Sequence, residues 1–231
     1  MYQYNDDSLM LHNDLYQINM AESYWNDGIH ERIAVFDLYF RKMPFNSGYA
    51  VFNGLKRVVN FIENFGFTNE DITYLKSIGY EEDFLNYLKD LKFTGNIKSM
   101  QEGEICFGNE PLLRVEAPLI QAQLIETILL NIINFQTLIA TKASRIRQIA
   151  THDTLMEFGT RRAQEIDAAL WGARAAFIGG FDSTSNVRAG KLFNIPVSGT
   201  HAHALVQTYG DEYIAFKKYA ERHKNCRSEE H

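Results

Sequence analysis

The sequence contains few cysteines and no excess of positive charge. Its only cysteines are Cys106 and Cys226, which form neither a CxxC pair nor a zinc-finger spacing. A disulfide-stapled secreted scaffold is therefore not expected, and a reducing cytoplasm is the expected compartment. The formal net charge is −6. Because a protein that binds a nucleic-acid backbone needs a basic surface, we expect no nucleic-acid partner.

The sequence also has no long uninterrupted apolar run. The most apolar stretch, residues 119–140, is broken by polar residues, namely Gln121, Gln123, Glu126, Asn131, Asn134 and Gln136. We therefore expect neither a membrane span nor a membrane partner. The first residues, MYQYNDDSLM, are acidic and are not typical of a signal peptide. The chain is nevertheless 45% hydrophobic and 13% aromatic over 231 residues, which is enough to build a buried core.

Residues 1–135 have the pattern of a mixed α/β domain with a helical insertion. Residues 33–41, IAVFDLYFR, alternate apolar and polar side chains as a half-buried strand does. Before them, Asp14 is placed to cap a helix. Residues 56–92 are acidic and amphipathic, which indicates further helices. From Ile120 onward apolar residues recur every four positions, which predicts a long buried helix that continues beyond this domain, with or without a break.

Residues 136–226 contain a repeat that predicts βα units. The segments TLMEFG, RAAFIGG and NIPVSG end in glycines at 159, 179–180 and 199, and helical stretches separate them. Strand, loop and helix repeated in this way indicate a parallel sheet, either open or part of a barrel. Only three units are present, whereas a closed TIM barrel has eight. The predicted fold class is α/β, with an incomplete TIM-like β/α barrel after the N-terminal domain.

Charged and polar residues follow the predicted strands, and the carboxyl ends of parallel strands meet at one edge. Arg161 and Arg162 have the chemistry of a clamp for phosphate or carboxylate. The alternative is that one of them forms a surface ion pair with Glu157 or Glu165. Asp182 either caps the helix that follows or accepts a hydrogen bond from a ligand.

The segment GTHAH contains the histidine pair His201 and His203. On a strand, this spacing would put both imidazoles on one face, as in the metal site of an amidohydrolase-like barrel. Such a site needs further ligands, and the only later histidines are His223 and His231. The other interpretations are one functional histidine beside a bystander, and ordinary packing.

Four long stretches resemble the nicotinate phosphoribosyltransferase family. They are NDLYQINMAESYW (13–25), FDLYFRKMPFNSGYAVFNGL (36–55), LIQAQLIETILLNIINFQTLIATKASRIR (119–147) and EFGTRRAQEIDAALWGARAAFIGGFDSTSNVRAGKLFNIPVSGTHAHALVQ (157–207). The resemblance runs from about residue 8 to residue 225 and corresponds to roughly the N-terminal half of the family's chain. Residues 227–231 form a tail that does not match.

The resemblance implies a reaction of NAD salvage. Nicotinate and 5-phosphoribosyl-1-pyrophosphate would give nicotinate mononucleotide and pyrophosphate, with ATP as a co-substrate. Mg²⁺ would enter with the pyrophosphate donor and with ATP, so no metal-ligating residue is expected in this chain. The family also implies a cytoplasmic homodimer with a site shared between subunits. For so short a chain, the alternatives are a truncated form with little independent activity, a barrel completed by a second chain or an assembly partner, and a noncatalytic interaction module.

The resemblance also implies a catalytic set. His203, the last residue of the Gly-Thr-x-Ala-His motif, would be the histidine that ATP phosphorylates, and His201 falls at the variable position of that motif. Asp182 matches an acid near the base. Arg161, with Phe158, would sandwich the pyridine ring and hold the nicotinate carboxylate or the neighbouring phosphates.

The remaining expected residues bind substrate. Tyr16 would stack on the pyridine ring across the dimer interface, and Arg41 would contact phosphate from the partner subunit. Thr200 would contact nicotinate beside the phosphorylated histidine. Ser144 and Arg145 lie in a matching helix segment, for which the resemblance implies no defined role.

Overall fold

A computed structural model describes residues 9–223, which form two compact units, 9–197 and 198–223. The first unit contains α1 (Leu15–Asn26), β1 (Ile33–Leu38), β2 (Ala50–Val51), α2 (Leu55–Glu63), α3 (Asn69–Ser77), α4 (Glu82–Asp90), β3 (Asn96–Ser99), β4 (Ile105–Cys106), β5 (Leu113–Pro118), α5 (Leu119–Ile149), β6 (Met156–Glu157), α6 (Glu165–Ile178), β7 (Ser183–Thr184) and α7 (Val187–Phe193). The second contains α8 (His203–Tyr209) and α9 (Glu212–Arg222). The predicted mixed α/β class is confirmed. Cys226, His231 and the predicted tail at 227–231 lie outside the described residues.

The predicted strand within residues 33–41 is β1, which is an edge of an antiparallel sheet with the order β1-β5-β3. Its register against β5 runs from Ile33 opposite Pro118 to Leu38 opposite Leu113. The alternation of exposed and half-buried residues along β1 follows the strand period of two. The inner face of this sheet packs on the main apolar core.

The predicted N-terminal helices form, but one predicted cap does not. Asp14 occupies the N-cap position of α1, yet its side chain makes no capping hydrogen bond. Instead, Asn13 pins the start of the helix to α5, because its Nδ2 donates to the Leu124 carbonyl at 2.6 Å. At α3 a reciprocal capping box forms, in which Thr68 and Asp71 each accept from the other's backbone N–H.

The helix predicted from Ile120 is α5, which runs for 31 residues without a break. Among the described residues, α5 is the one helix that is long and apolar enough to cross a membrane. Its most apolar 18-residue stretch is 56% buried inside the protein. It is the central element of the core and packs against α1, α2 and α6. The predicted domain boundary between residues 135 and 136 falls inside it, and the domain division stays a prediction.

The predicted parallel arrangement is confirmed, but one of its strands was assigned to the wrong segment. β6 pairs with β7 in parallel, Met156 opposite Ser183 and Glu157 opposite Thr184. Thr184 forms a further parallel bridge with Val197. The segment RAAFIGG, predicted as the middle strand, is instead the end of α6 and the turn after it.

Alanine content explains this difference. Ala173, Ala175 and Ala176 are buried in α6, and alanine is the strongest helix former. At the end of the helix, Gly179 lies so close to α5 that a Cβ there would collide with the Ala140 carbonyl. Small residues therefore let α6 approach α5, and the glycines mark that contact rather than the end of a strand.

The second unit is a pair of short helices. α8 begins at His203, and α9 is capped by Asp211, whose Oδ1 accepts from the Ile214 N–H at 2.8 Å. The His201 ring packs against Phe216 and Tyr219, with centroids 5.0 and 5.5 Å away. The histidine pair is therefore not on a strand.

Candidate active site

The carboxyl ends of β6 and β7 are joined by a carboxylate. The Glu157 side chain accepts from Thr184 Oγ1 at 2.7 Å and also from the Gly159 N–H. Its backbone carbonyl accepts from the Ser185 N–H at 2.9 Å. Phe158, the next residue after β6, is 38% exposed. The loop that carries Phe158 is thus fixed to the neighbouring strand while the ring itself stays accessible.

The arginine pair follows on a 3₁₀ turn over Thr160–Arg162. The Arg162 N–H donates to the Gly159 carbonyl at 2.8 Å, which closes the turn. Both guanidinium groups are exposed, and neither forms an ion pair with any residue from 9 to 223. The predicted alternative, a surface ion pair with Glu157 or Glu165, is therefore not found. Both arginines keep their donors available for an oxyanion.

A cavity of about 380 Å³ opens beside this turn. It lies between the 3₁₀ turn and the facing ends of α6 and α7, with Thr160, Ala163, Glu165, Ile166, Ala169, Leu170, Asn186 and Arg188 as its walls. Apolar walls with a few polar groups suit a small ligand with an apolar body. Asn186 is the actual cap of α7, accepting from the Ala189 N–H at 3.0 Å. Asn186 and Arg188 were not predicted from the sequence, although the segment STSN before the helix indicates the Asn186 cap.

Asp182 lies at the amino ends of β6 and β7, whereas Phe158 follows the carboxyl end of β6. It precedes β7, so its predicted position after a strand is wrong, and so is its alternative role as a helix cap. Its carboxylate accepts from the Leu155 N–H at 2.7 Å and from Arg147 Nη2 at 2.5 Å. These two contacts, the backbone hydrogen bond first, hold the pKa of Asp182 below its usual range. The ion pair joins the end of α5 to the start of β7, and the contact with Leu155 extends this link to the start of β6. Arg147 was not singled out from the sequence.

Ser144 is brought together with the loop before β2. Its Oγ lies 3.1 Å from the Tyr49 hydroxyl, which also accepts from Gln148 Nε2 at 2.8 Å. Arg145, the next residue, is exposed. Tyr49 was not singled out from the sequence, because nothing local indicates a partner 95 positions away.

Tyr16 and Arg41 lie on other elements. Tyr16 is on α1 with 52% of its surface exposed, and Arg41 is exposed in the bend after β1. Among residues 9–223, no hydrogen bond or ion pair joins either residue to Phe158 or Arg161. The structure of one chain therefore does not unite these four predicted site residues.

Thr200 and His203 belong to the second unit, and both are exposed. His203 is the first residue of α8, and the neighbouring His201 is packed against aromatic rings of α9. Within residues 9–223 no group of three or more His, Cys, Asp or Glu side chains is arranged to hold a metal ion. The amidohydrolase-like alternative therefore lacks a ligand set in this part of the chain.

A half-buried ion pair fixes α6, and with it the loop of Phe158, to the N-terminal core. Arg174 on α6 donates to both carboxylate oxygens of Glu102, at 2.6 and 2.9 Å. Glu102 also accepts from the backbone N–H groups of Gly54 and Lys56. Burial raises the pKa of Glu102, but Arg174 and the two N–H groups outweigh it and the pKa lies below the ordinary value.

The chain as a whole is similar to known proteins of one family. The model of the nicotinate phosphoribosyltransferase N-terminal domain matches residues 11–134. A nicotinate phosphoribosyltransferase of Bacillus subtilis is 66% identical over 97% of this chain and 46% of its own length. Nicotinate phosphoribosyltransferase 2 of Arabidopsis thaliana is 47% identical over 85% of this chain and 36% of its own. The chain thus spans less than half the length of these relatives.

Two solved structures have the same arrangement of elements. The human nicotinic acid phosphoribosyltransferase superposes with a TM-score of 0.80 at 39% identity, covering 85% of this chain and 40% of the human one. A nicotinate-nucleotide pyrophosphorylase from Pyrococcus furiosus gives a TM-score of 0.78 at 24% identity, covering 96% of this chain and 49% of that one. The second likeness concerns the fold alone.

Proposed function

The chain belongs to the nicotinate phosphoribosyltransferase family, and from this we propose that it acts in the formation of nicotinate mononucleotide. Nicotinate would attack C1 of 5-phosphoribosyl-1-pyrophosphate through its ring nitrogen, and pyrophosphate would leave. The observation that carries the proposal is the loop after β6, which exposes an aromatic ring and two arginines that form no ion pair with residues 9–223, and which lines a cavity of about 380 Å³ through Thr160 and Ala163.

The chemistry of this loop suits the reaction. A pyridine ring is flat and apolar with a carboxylate at its edge, so an aromatic side chain that stacks on it and a guanidinium that binds the carboxylate together fix its orientation. We assign the stacking to Phe158 and the charge pairing to Arg161. A transition state with oxocarbenium character gains from such positioning and from cations near the leaving pyrophosphate.

His203 is proposed as the residue that couples ATP to the reaction. Transfer of the γ-phosphoryl group to an imidazole nitrogen would break the bond to ADP and leave about two negative charges on the histidine. Thr200, three residues earlier, would contact nicotinate. The exposure of both side chains in the second unit leaves them accessible to ligands. Asp182 stays a proposed member of the catalytic set, with Arg147 as its observed partner.

Mg²⁺ is proposed to arrive with the substrates. The phosphates of the donor and of ATP would supply its oxygen ligands. The protein's own part is to bind those phosphates, for which the guanidinium groups of Arg41 and Arg145 and the hydroxyl of Ser144 are the further candidates.

We also propose that the working form is a cytoplasmic homodimer, without a nucleic-acid or membrane partner. Tyr16 and Arg41 would act in the site of the partner subunit, which agrees with their exposure. The parallel pair of β6 and β7, with the bridge to Val197, would be the beginning of a TIM-like barrel. A barrel closes with eight strands, so further strands would have to join these to close it.

The test is nicotinate mononucleotide formation by the 231-residue chain, with nicotinate, the pyrophosphate donor, Mg²⁺ and ATP. The His203→Ala variant is compared with His201→Ala as a matched control that removes an imidazole two residues away. We expect activity that is lost in His203→Ala and kept in His201→Ala. Absence of product with the unaltered chain would contradict independent activity and leave the noncatalytic fragment as the better description.

The phosphohistidine role has its own readout. Affinity for the pyrophosphate donor is measured with and without ATP in the unaltered chain. We expect ATP to tighten donor binding and His203→Ala to abolish that effect. Equal donor affinities with and without ATP would contradict the coupling even if the chain forms product.

A further inference from the structure

A buried polar cluster connects the exposed Tyr16 to α5. Tyr16 is 52% exposed, yet its hydroxyl accepts a hydrogen bond from Gln17 Nε2 at 3.1 Å. Gln17 itself is 0% exposed. Its partners on α5 are Gln123, which is 5% exposed, and Glu126. A surface aromatic ring is thus attached through its polar end to a group that solvent does not reach.

The hydrogen bonds of the cluster fix the orientation of the Gln17 amide. Its Nε2 donates to Glu126 Oε2 at 2.9 Å, and its Oε1 accepts from Gln123 Nε2. An ionised carboxylate only accepts hydrogen bonds, so the side of Gln17 that faces Glu126 has to be the amino group. The same amino group therefore faces Tyr16, and a flipped amide would lose the hydrogen bonds to Glu126 and from Gln123.

Packing alone does not require this cluster. Apolar side chains of α1 are buried as well, with Ile18 and Ala21 at 4% and 0% exposure. A buried amide costs free energy unless every hydrogen bond is made, and an apolar side chain of similar size would avoid that cost. The Gln17 amide instead provides a hydrogen-bond donor at a fixed position next to the Tyr16 hydroxyl.

We propose that Gln17 and Glu126 are positioning residues, which hold the Tyr16 ring in one orientation at the surface for stacking on the ring of an aromatic ligand. A ring that is already ordered loses less conformational entropy when a ligand stacks on it. That the ligand is nicotinate rests on the proposed function. The anchoring of Tyr16 does not rest on it.

The anchoring is tested first, without reference to activity. The chain is labelled with 3-fluorotyrosine, and the Tyr16 resonance is assigned by its loss in Tyr16→Phe. We expect Gln17→Met, which keeps the side-chain length and removes the amide, to shift and narrow the Tyr16 resonance. The matched control is Gln121→Met, which removes another buried amide of α5 that is hydrogen bonded to Thr94 instead. It should leave the Tyr16 resonance in place.

An unchanged Tyr16 resonance in Gln17→Met would overturn the proposal, and so would an equal change in Gln121→Met. Glu126→Gln gives a graded test, because it keeps one oxygen acceptor for the Gln17 amide. The Tyr16 resonance in Glu126→Gln should lie close to that of the unaltered chain. In Glu126→Met it should resemble the Tyr16 resonance of Gln17→Met.

The consequence for the reaction is tested by nicotinate saturation. We expect Gln17→Met to raise KM for nicotinate about fivefold, with kcat and the KM for the pyrophosphate donor unchanged. On the Tyr16→Ala background the same change should add nothing, because the two residues act in series. A fall in kcat alone, or a further loss on the Tyr16→Ala background, would overturn the positioning role. An inactive unaltered chain would contradict the proposed function only, and the fluorine experiment would then decide the anchoring by itself.

Discussion

The helical core around α5 and the edge formed by β6 and β7 belong to the same unit, but they are held together differently. Around α5, apolar side chains such as Leu124 and Ile128 are buried to 0% and 1% exposure. β6 and β7 are two residues long, and side chains such as Glu157 and Asp182 tie their ends. Apolar burial thus provides a rigid support, whereas the edge keeps aromatic and cationic groups accessible for ligands.

The largest expected effect is on the core. Leu124 is fully buried in α5 against the main apolar cluster, so Leu124→Ala removes apolar contacts and leaves a cavity. We expect it to lower the free energy of unfolding by about 3–4 kcal/mol. Urea unfolding followed by circular dichroism measures this change. Leu130→Ala, at a position on the same helix that is 45% exposed, is the matched control.

Leu130→Ala should cost less than about 1 kcal/mol, because solvent already reaches that side chain. Equal losses in the two variants would contradict the assignment of α5 as the central core helix, since burial would then not determine the cost.

The ion pair between Glu102 and Arg174 connects the two regions. Its loss should lower the free energy of unfolding less than a core cavity does, and the size of this effect should depend on pH. Glu102→Gln leaves the Arg174 guanidinium without its carboxylate and should cost about 2 kcal/mol at neutral pH. The folded-state pKa of Glu102 lies below its ordinary value of 4.5. The stabilisation is therefore fully present above that ordinary value and is lost as the pH falls through the lower folded-state pKa.

The measurement is the free energy of unfolding of Glu102→Gln and of the unaltered chain at several pH values from about 6 down to about 3. We expect the difference between the two chains to shrink as the pH falls. Asp37 and Asp182 also have lowered pKa values, but they are present in both chains and cancel in the difference. A difference that stays constant over this range would contradict the role of the charge.

The two regions also differ in how much of them the sequence predicts. α5 and β1 follow from periodicity, because a buried helix repeats every three to four residues and a half-buried strand every two. RAAFIGG has no such period, and the helix propensity of its alanines is a weak signal over so short a run. The contact of Gly179 with α5 adds to that propensity, and this contact is made with a segment far away in the chain.

The candidate site, like the fold, depends on contacts between distant segments that sequence patterns do not reveal. Motif likeness singles out Tyr16, Phe158 and Ser144, since these residues stand in recognisable local strings. It does not reveal their partners, because Gln17 meets Glu126 across 109 positions and Thr184 meets Glu157 across 27. Sequence patterns therefore single out candidate ligand-binding residues, but not the residues that hold them in place.

The smallest expected effect is at the edge itself. Thr184 is 0% exposed. Its Oγ1 donates to Glu157 and accepts from the Asn186 N–H at 3.0 Å. Thr184→Val keeps the shape and removes both hydrogen bonds, which should cost about 1–2 kcal/mol. Because the strands have so few backbone pairings, the loss should appear as local opening rather than as global unfolding.

Amide hydrogen exchange separates these two outcomes. In Thr184→Val we expect faster exchange at the N–H groups of Gly159 and Asn186, with the α5 amides unchanged. Thr73→Val, at an exposed position of α3 where the hydroxyl donates to the Asn69 carbonyl, should leave the edge amides as they are. Faster exchange throughout α5 in Thr184→Val would mean that the edge and the helical core open as one cooperative unit. The contrast between a rigid support and a separately held edge would then be wrong.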